Sequence, residues 1–477
     1  MSQNVRRWAI AAVLAVALVF VGAVIGKAGS FAASQKEDPA QAVTNTSEGS
    51  AADPSEADVA SGFYSPGDAY KLEQVVVLSR HNIRSPMSGT GSTLAMATPH
   101  EWFAWTSNPS ELSLRGGALE TMMGQYFRMW LESEGLIPEN YQPTDEEVRF
   151  YANAKQRTIA TSQYFSSGML PVANVRIETH AAYDEMDPVF TPKITFLSDS
   201  YEEAALGQIG SLFGRGRIGG IGADLEGPYA TLAEIIDYTE SAGYQDGTLG
   251  DFDTADTQVE LVMGEEPAVS GSLRLGLQLV DALMLQYYEE GDPVLATFGH
   301  EVSDGQWAQL DKIREAYNDA AFGSPLVALN VAHPLLQEIA SEMDAEGRVF
   351  SFLCGHDSNI ASVTAALGVE DYRLPDAIET KTPIGAKLVF ERWSDASGQQ
   401  YGRLRLVYNS VDQLRSLSLL SVANPPMSYD LSLNGLAKNE DGLYAYDDLR
   451  ARVQESIEEY DLFAEEYPDA EELPAAA

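Results

Sequence analysis

The chain has 477 residues, of which 45% are hydrophobic and 21% charged, a composition typical of globular proteins and unlike that of disordered or fibrous chains. It contains 71 aspartates and glutamates against 30 lysines and arginines, which gives a net charge of −41 at pH 7. This acidity disfavours binding to nucleic acid and to anionic membrane surfaces, so any local cluster of positive charge becomes informative.

The N-terminus has the pattern of an export signal. Arg6 and Arg7 precede an apolar run from Trp8 to Ile25, which places the signal within residues 1–33 and the rest of the chain in the periplasm or at the cell surface. The run is also long enough to span a bilayer, so cleavage and retention as a membrane anchor both remain open. Residues 34–67 are rich in Ala, Ser, Asp and Glu and predict a disordered linker.

A buried strand followed by a strand-to-helix alternation opens the globular part of the chain. Leu72 to Ser79 has the continuous aliphatic centre of a strand buried on both faces of a parallel sheet. Helical periodicity follows Ser113, a second strand spans Val148 to Ala152, and another helix comes after it. The alternation predicts an α/β core with a mixed, mostly parallel sheet flanked by helices, formed by residues 68–180 and 344–465.

Strand patterns fade between residues 181 and 343, where helical periodicity predicts a smaller, mainly helical insertion domain. Another buried strand, Val349 to Gly355, follows the insertion and leads into a helix. The alternating stretches AKLVFERW and YGRLRLVY predict an antiparallel hairpin, and a last helix comes before residue 465. Residues 466–477 are predicted to form a disordered tail.

Basic and nucleophilic side chains cluster directly after the first buried strand, in the sequence RHNIRSP that begins at Arg80. Open α/β sheets bind ligands at the carboxyl ends of their strands. The guanidinium groups of Arg80 and Arg84 can bind phosphate oxygens in a fork geometry, and a neutral imidazole nitrogen of His81 can attack phosphorus. The alternative is a surface loop in which these residue types occur together by chance.

A second polar sequence, GHDSN, again follows a buried strand and opens a helix. The free backbone N–H groups at a helix N-terminus favour an anion, which would place one beside His356 and Asp357. A His-Asp pair alone is weak evidence for a catalytic site. It becomes informative only in combination with the first motif.

Together the two motifs resemble those of the histidine acid phosphatases, a branch of the histidine phosphatase superfamily with Arg-His-x-x-Arg-x-Pro early and His-Asp late in the chain. The likeness runs from Leu72 to Tyr460, through YANAKQRTIAT, CGHDSNIAS and TPIGAKLVFERW, and is strongest to the glucose-1-phosphatase-like members. It implies a phosphoglycerate-mutase-like fold and a metal-independent, cofactor-free phosphomonoesterase that works through a phosphohistidine. The highest activity is expected at mildly acid pH, because the proton donor must be protonated when the reaction starts.

The resemblance also assigns roles to single residues. His81 is implied as the nucleophile and Asp357 as the proton donor, which afterwards activates the hydrolytic water. Asn82 stands where most of the family has glycine, although the glucose-1-phosphatase-like members also carry asparagine there. The implied phosphate ligands are Arg80, Arg84, Arg157 and His356. Without the resemblance, the sequence around Arg157 indicates only a solvated arginine in the first turn of a helix.

Substrate choice depends on two further positions. Glu289 aligns with an acidic residue that contacts the sugar in the glucose-1-phosphatase-like members, although a shift of one residue would select Glu290, and a solvated glutamate is the alternative. Met87 either lines the side of the active site that holds the leaving group or is a packing methionine. The expected substrates are sugar phosphates such as glucose 1-phosphate. A phytase-like phosphatase of inositol phosphates is the runner-up, and a silent protein that binds phosphorylated ligands is disfavoured by the intact His81 and Asp357.

Other signals in the sequence are given no function. The glycine-rich stretch 207–222 contains a dinucleotide-binding spacing, but no strand precedes it, so it indicates a surface loop. The histidines outside the motifs lack metal-ligand spacing, and no metal or cofactor is expected. Cys354, the single cysteine, lies in a buried strand and is predicted to be a core residue. The expected partner is a small-molecule phosphomonoester, with the oligomeric state left open.

Overall fold

The computed structural model describes residues 59–61, 65–87, 93–213 and 220–468. The predicted signal or anchor in residues 1–33, most of the predicted linker and most of the predicted tail lie outside these ranges. Within them, no helix is both long and apolar enough to cross a membrane.

The described residues form a central β-sheet covered by helices. The strands in chain order are β1 (Val59–Ser61), β2 (Tyr70–Arg80), β3 (Val148–Ala152), β4 (Ile177–Glu178), β5 (Gln258–Glu260), β6 (Ala268–Ser270), β7 (Phe350–Gly355), β8 (Lys387–Asp395), β9 (Gln400–Tyr408), β10 (Met427–Asp430) and β11 (Tyr444–Ala445).

The α-helices in chain order are α1 (Thr93–Met96), α2 (Leu114–Ser133), α3 (Gln156–Met169), α4 (Asp199–Leu212), α5 (Glu226–Ile235), α6 (Ala242–Gln245), α7 (Ser272–Glu289), α8 (Pro293–Ala296), α9 (Asp304–Asn318), α10 (Pro325–Asp344), α11 (Asp357–Ala366), α12 (Val411–Ser416), α13 (Tyr446–Asp461) and α14 (Phe463–Glu466). A 3₁₀ turn at Tyr238–Glu240 and a π-helical turn at Asp319–Gly323 complete the helical segments of the described chain.

The central sheet has the strand order β1-β10-β9-β8-β2-β7-β3-β4, with β11 paired to β9. The predicted α/β class and mixed sheet are confirmed. The parallel pairing that we predicted for most of the sheet is confined to β2, β7, β3 and β4, and the other pairings are antiparallel. The physical reason is that a short turn joins β8 to β9, which reverses the chain direction as the predicted hairpin requires.

The two motif-bearing strands lie side by side at the centre of the sheet. β2 and β7 pair in parallel register, with Arg80 opposite Gly355. Parallel strands that end at the same level release their chains at the same edge, so the residues after β2 and after β7 become neighbours. A hydrogen bond of 3.1 Å from the backbone N–H of His81 to the carbonyl oxygen of Gly355 fixes this juxtaposition.

Both faces of β2 are buried, as its continuous aliphatic centre predicts. Val75 and Val77 pack with side chains of α2 and α3, whereas Val76 and Leu78 pack with side chains of α10, α11 and α13. Helices α2 and α3 cross so closely that a Cβ at Gly124 would lie 2.1 Å from the backbone oxygen of Phe165. Side chains of any size at this crossing would push α2 and α3 apart.

The segment from residue 181 to residue 343 is mainly helical and also contains an antiparallel pair, β5 with β6, which we did not predict. Strands of three residues are too short to show an alternating pattern. Helices α5, α7 and α9 share a buried cluster that includes Leu232, Leu283 and Leu310. This packing brings the polar side chains of α7 and α9 to the edge where β2 and β7 end.

Candidate active site

The imidazole of His81 lies directly beyond β2 and is 3% exposed. Its Nδ1 is 2.9 Å from the carbonyl oxygen of Asn82. A carbonyl oxygen only accepts hydrogen bonds, so Nδ1 carries the proton and Nε2 keeps its free lone pair. Burial, and next the positive charge of Arg157, lower the pKa of His81 well below its usual value. The ring is therefore neutral, with Nε2 free to attack an electrophile.

The three predicted arginines lie around this imidazole, and the charge of each acts on its pKa. Arg84 donates from Nη2 to the carboxylate of Asp281 at 3.0 Å. Arg157 donates to the hydroxyl of Ser110 at 2.7 Å, and within the described ranges no carboxylate forms an ion pair with it. Burial and the charge of Arg84 lower the pKa of Arg157 to about 10. A buried guanidinium without an anionic partner is a prepared site for an anion.

His356 belongs to the second motif and is 6% exposed, with its ring centre 5.5 Å from that of His81. The side-chain amide of Asn153 points its nitrogen at His356 Nε2, 2.7 Å away, while its oxygen accepts the backbone N–H of Asp187. His356 Nε2 therefore accepts, and Nδ1 carries the proton. Nδ1 lies 3.4 Å from Arg157, so its N–H and that guanidinium can donate to the same anion.

Asp357 is the first residue of α11, and its side chain is 32% exposed. Its Oδ2 lies 3.4 Å from Nη2 of Arg80 and 3.2 Å from Nη2 of Arg314. Burial raises the pKa of Asp357, but the two guanidinium groups outweigh it and hold that pKa well below its usual value. These guanidinium groups favour the ionised form of the carboxyl group, and the expectation that it is protonated at the start of the reaction stays a prediction.

A fourth arginine at this site, Arg314 of α9, was not predicted from the sequence. It is 3% exposed and lies 3.5 Å from a carboxylate oxygen of Glu379. A signal was available, because Arg314 follows Trp307 and Leu310 along the apolar face of its helix, where a charge needs a partner. Asp281 gives the same signal on α7.

Glu379 was also missed, and its loop has no periodicity that could reveal it. Its carboxylate pairs with Nη1 of Arg80 at 2.5 Å and accepts the backbone N–H of Ile384 at 2.8 Å. Arg80 Nη1 also donates to the carbonyl oxygen of Thr382 at 2.6 Å. Arg80 is thus held from one side by this loop and reaches Asp357 with its other nitrogen.

Among the described residues, Glu289 forms no hydrogen bond or ion pair with the arginines or histidines of this cluster, and its contact with a sugar stays a prediction. Its carboxylate accepts a hydrogen bond of 2.7 Å from the hydroxyl of Ser113, the residue that caps α2. It follows Asp281 by two helical turns, about 12 Å along the axis. Met87 is 66% exposed, so it does not pack in the core of the described structure, and its contact with a leaving group stays a prediction.

Glu266, two residues before β6, is an acidic residue that we did not predict. Burial raises its pKa, and the charges of Arg274, Asp357 and Arg157 also act on that pKa. In the described part of the chain, no three potential metal-ligating side chains are grouped so that they could hold an ion.

Residues 71–201 and 278–409 match the family model of the histidine phosphatase superfamily, branch 2. The chain belongs to this family. The histidine phosphatase is 36% identical to the glucose-1-phosphatase of Salmonella typhimurium over 385 residues, which cover 80% of the chain and 91% of that relative. It is 29% identical to the phytase AppA of Escherichia coli, over 79% of the chain and 89% of AppA. The structure of Hafnia alvei phytase in complex with tartrate is similar, with a TM-score of 0.74 and 27% identity. The similarity covers 82% of the chain and 98% of the phytase.

These similarities confirm the predicted family, the α/β fold and the enzyme class. The histidine phosphatase is a phosphoric monoester hydrolase that acts on small-molecule phosphate esters. The matched ranges contain both motifs, the part of α7 that supplies Asp281, and α9, which supplies Arg314.

Proposed function

We propose that this histidine phosphatase is an exported, metal-independent acid phosphatase that hydrolyses sugar phosphates such as glucose 1-phosphate through a phosphohistidine at His81. One observation carries the proposal. A neutral imidazole with a free Nε2 lies among buried cations, and Arg157 among them has no carboxylate partner in the described chain. A phosphoryl group supplies both the electrophile for the nitrogen and the anion for the guanidinium groups.

In the first step Nε2 of His81 attacks phosphorus while the bond to the leaving oxygen breaks. The equatorial oxygens receive hydrogen bonds from Arg84, Arg157 and Nδ1–H of His356, which stabilise the charge that a transferring phosphoryl group carries. Asp357, at the same edge of the sheet, protonates the leaving oxygen. The products are an alcohol and a phosphohistidine.

Asp357 obtains its proton when substrate binds. A phosphate monoester has a second pKa of about 6, so in mildly acid solution it arrives carrying a proton. Its negative charge also competes with Asp357 for Arg80, which raises the pKa of that carboxyl group in the complex. The low pKa that Arg80 and Arg314 give Asp357 and its acid role in the complex are therefore compatible.

In the second step Asp357, now a carboxylate, takes a proton from water, and the water oxygen attacks phosphorus. The bond to Nε2 of His81 breaks, inorganic phosphate forms, and the neutral imidazole returns. The arginines hold the same oxygens in both steps. They supply the positive charge that a metal ion supplies in other phosphatases.

The substrate class is proposed from similarity and from charge. The glucose-1-phosphatase of Salmonella typhimurium is more similar in sequence than the phytase AppA, although the fold is shared with phytases. Asp281 pairs with Arg84, the charges of Asp357 and Arg157 act on the pKa of Glu266, and the whole chain carries a net charge of −41. Acidic groups repel the further phosphates of an inositol polyphosphate, whereas the hydroxyl groups of a sugar bear no charge.

We expect kcat/KM for glucose 1-phosphate to exceed that for phytate by at least about tenfold, since juxtaposed like charges cost more than one kilocalorie per mole. The measurement is phosphate release from both substrates at pH 5 with EDTA present, with an aryl phosphate as the substrate that tests turnover alone. A higher kcat/KM for phytate would replace the proposal with the phytase-like alternative.

Export is proposed from the basic and apolar pattern of residues 1–33. Fractionation of cells that express the full chain, with the mass of the product, provides the test. We expect activity outside the cytoplasm. Activity confined to the cytoplasmic fraction would contradict this part of the proposal.

A further inference from the structure

A fully buried ion pair lies behind His81. Glu120 of α2 and Lys387 of β8 have completely buried side chains, and Lys387 Nζ is 2.9 Å from Oε1 of Glu120. Burial raises the pKa of Glu120, although Lys387 opposes that shift. Buried ion pairs contribute little net stability, because desolvation offsets their attraction. The position of this pair therefore indicates a role other than stability.

The same carboxylate binds the residue that orients the nucleophile. Asn82 donates from Nδ2 to Oε1 of Glu120 at 2.7 Å, and its own Oδ1 accepts the backbone N–H of Ile83 at 2.8 Å. The backbone carbonyl of Asn82 is the group that accepts Nδ1–H of His81. With both ends of its side chain bound, Asn82 has a fixed peptide plane, and that plane fixes the direction of the imidazole.

A second set of bonds closes the network on the other side of His81. Lys387 Nζ donates to the carbonyl oxygen of Gly385 at 2.7 Å, and the N–H of Gly385 donates to the carbonyl oxygen of His81 at 3.1 Å. Gly385 has a φ of +69°, and a Cβ there would lie 2.4 Å from Nδ2 of Asn82. Glycine at this position leaves the space through which the amide of Asn82 reaches Glu120.

We propose that Asn82, Glu120 and Lys387 form a positioning network that aims Nε2 of His81 at phosphorus. The inference rests on the proposed nucleophilic role of His81. It also accounts for asparagine at position 82, because its amide is the group that donates to the buried carboxylate of Glu120. A glycine there would leave that carboxylate without this bond.

A positioning role predicts a particular kinetic signature. The arginines bind phosphate oxygens without help from the network, so its loss leaves the affinity for inorganic phosphate unchanged. Misaimed nitrogen slows the attack on phosphorus, and a displacement of about 1 Å can cost on the order of 10²-fold in rate. The network therefore acts on the rate of phosphohistidine formation and on kcat.

Two double variants separate the hydrogen bond from the charges. E120Q/K387M removes both charges but keeps an oxygen that accepts from Asn82, whereas E120L/K387M removes the charges and the acceptor. We expect E120L/K387M to form phosphohistidine on the order of 10²-fold more slowly. Glutamine at position 120 should restore the rate to within about threefold of the parent, and inhibition by inorganic phosphate should be the same in all three proteins.

Controls distinguish positioning from general damage. The pair Glu391–Arg405 is equally buried and belongs to the same sheet, so E391L/R405M should leave the rate of phosphohistidine formation unchanged. Thermal unfolding of each variant reports its stability. If E120L/K387M does not fold, Asn82→Ala, which keeps the ion pair, should show the same loss of rate.

Equal rates of phosphohistidine formation in E120Q/K387M and E120L/K387M would overturn the network, as would an unchanged rate in Asn82→Ala. Failure of the proposed function looks different, because the parent enzyme itself would then form no phosphohistidine. The parent is measured first for that reason.

Discussion

Replacement of His81 by alanine is expected to lower kcat for every phosphomonoester on the order of 10⁴- to 10⁶-fold, as removal of a catalytic nucleophile does in other enzymes. The variant lacks the nitrogen that attacks phosphorus. A water molecule in its place cannot form the covalent intermediate. Stopped assays with an aryl phosphate and with glucose 1-phosphate, each over several hours, measure the residual rate.

The phosphate-binding groups should survive this substitution. Arg84, Arg157 and His356 do not depend on His81 for their recorded hydrogen bonds, so the variant should still bind inorganic phosphate. His300→Ala, a change at a half-buried histidine paired with Asp237, serves as the matched control and should retain full activity. Turnover by the His81 variant within tenfold of the parent would exclude His81 as the nucleophile.

Replacement of Asp357 by asparagine is expected to have the second largest effect, and its size should depend on the leaving group. General acid catalysis contributes about 10²- to 10⁴-fold, and we expect that loss for a sugar phosphate, whose alkoxide leaves poorly without a proton. A dinitrophenyl phosphate needs no proton on its leaving group. Its first step should therefore be nearly as fast as in the parent.

The second step gives this variant a distinctive time course. Asparagine cannot take a proton from the hydrolytic water, so phosphohistidine should accumulate after a rapid release of dinitrophenol. Stopped-flow absorbance should show a burst of about one equivalent per active site, followed by slow turnover. An equal loss of rate for both leaving groups, without a burst, would contradict the assignment of Asp357.

The pH dependence provides an independent check on the same residue. In the parent, kcat for a sugar phosphate should fall as pH rises through the pKa of Asp357 in the substrate complex, because only the protonated form donates. The Asp357→Asn variant has no such group, so this basic limb should disappear from its profile. A limb that persists unchanged at a pKa clearly different from that of the substrate phosphate, about 6, would assign the proton donor to another residue.

Much of the fold was predictable because long apolar runs determine it. The continuous aliphatic centres of β2 and β7 required burial on both faces, and the structure places these strands side by side. The antiparallel share of the sheet was underestimated, because pairing direction depends on how strands are connected rather than on their hydrophobicity. The short pair β5–β6 left no periodic signal.

The candidate site was predictable where its residues are contiguous in sequence. Arg80, His81 and Arg84 follow one strand, and His356 and Asp357 follow its neighbour, so two short motifs locate most of the cluster. Their supporting residues come from distant parts of the chain. No local pattern could show that Glu379 would hold Arg80 or that Glu120 would hold Asn82.

The acidic contacts made by α7 depend on how that helix packs. The carboxylate of Glu289, which was selected by similarity, accepts a hydrogen bond from Ser113, and its contact with a sugar stays a prediction. Asp281, two turns earlier on the same helix, contacts Arg84. Residue spacing alone could not show which acidic residue of α7 would contact an arginine of the site.

Direct observation of the phosphorylated residue tests the central proposal most directly. The parent enzyme would be mixed with excess substrate at pH 5 in the presence of EDTA, quenched with alkali within milliseconds, digested and analysed by mass spectrometry. We predict one phosphoryl group on His81 that is stable in alkali, lost in acid, and turned over at a rate no slower than kcat. Phosphate on any other residue, acid-stable phosphate on His81, or no covalent phosphate at all under conditions of rapid turnover would contradict the proposed mechanism.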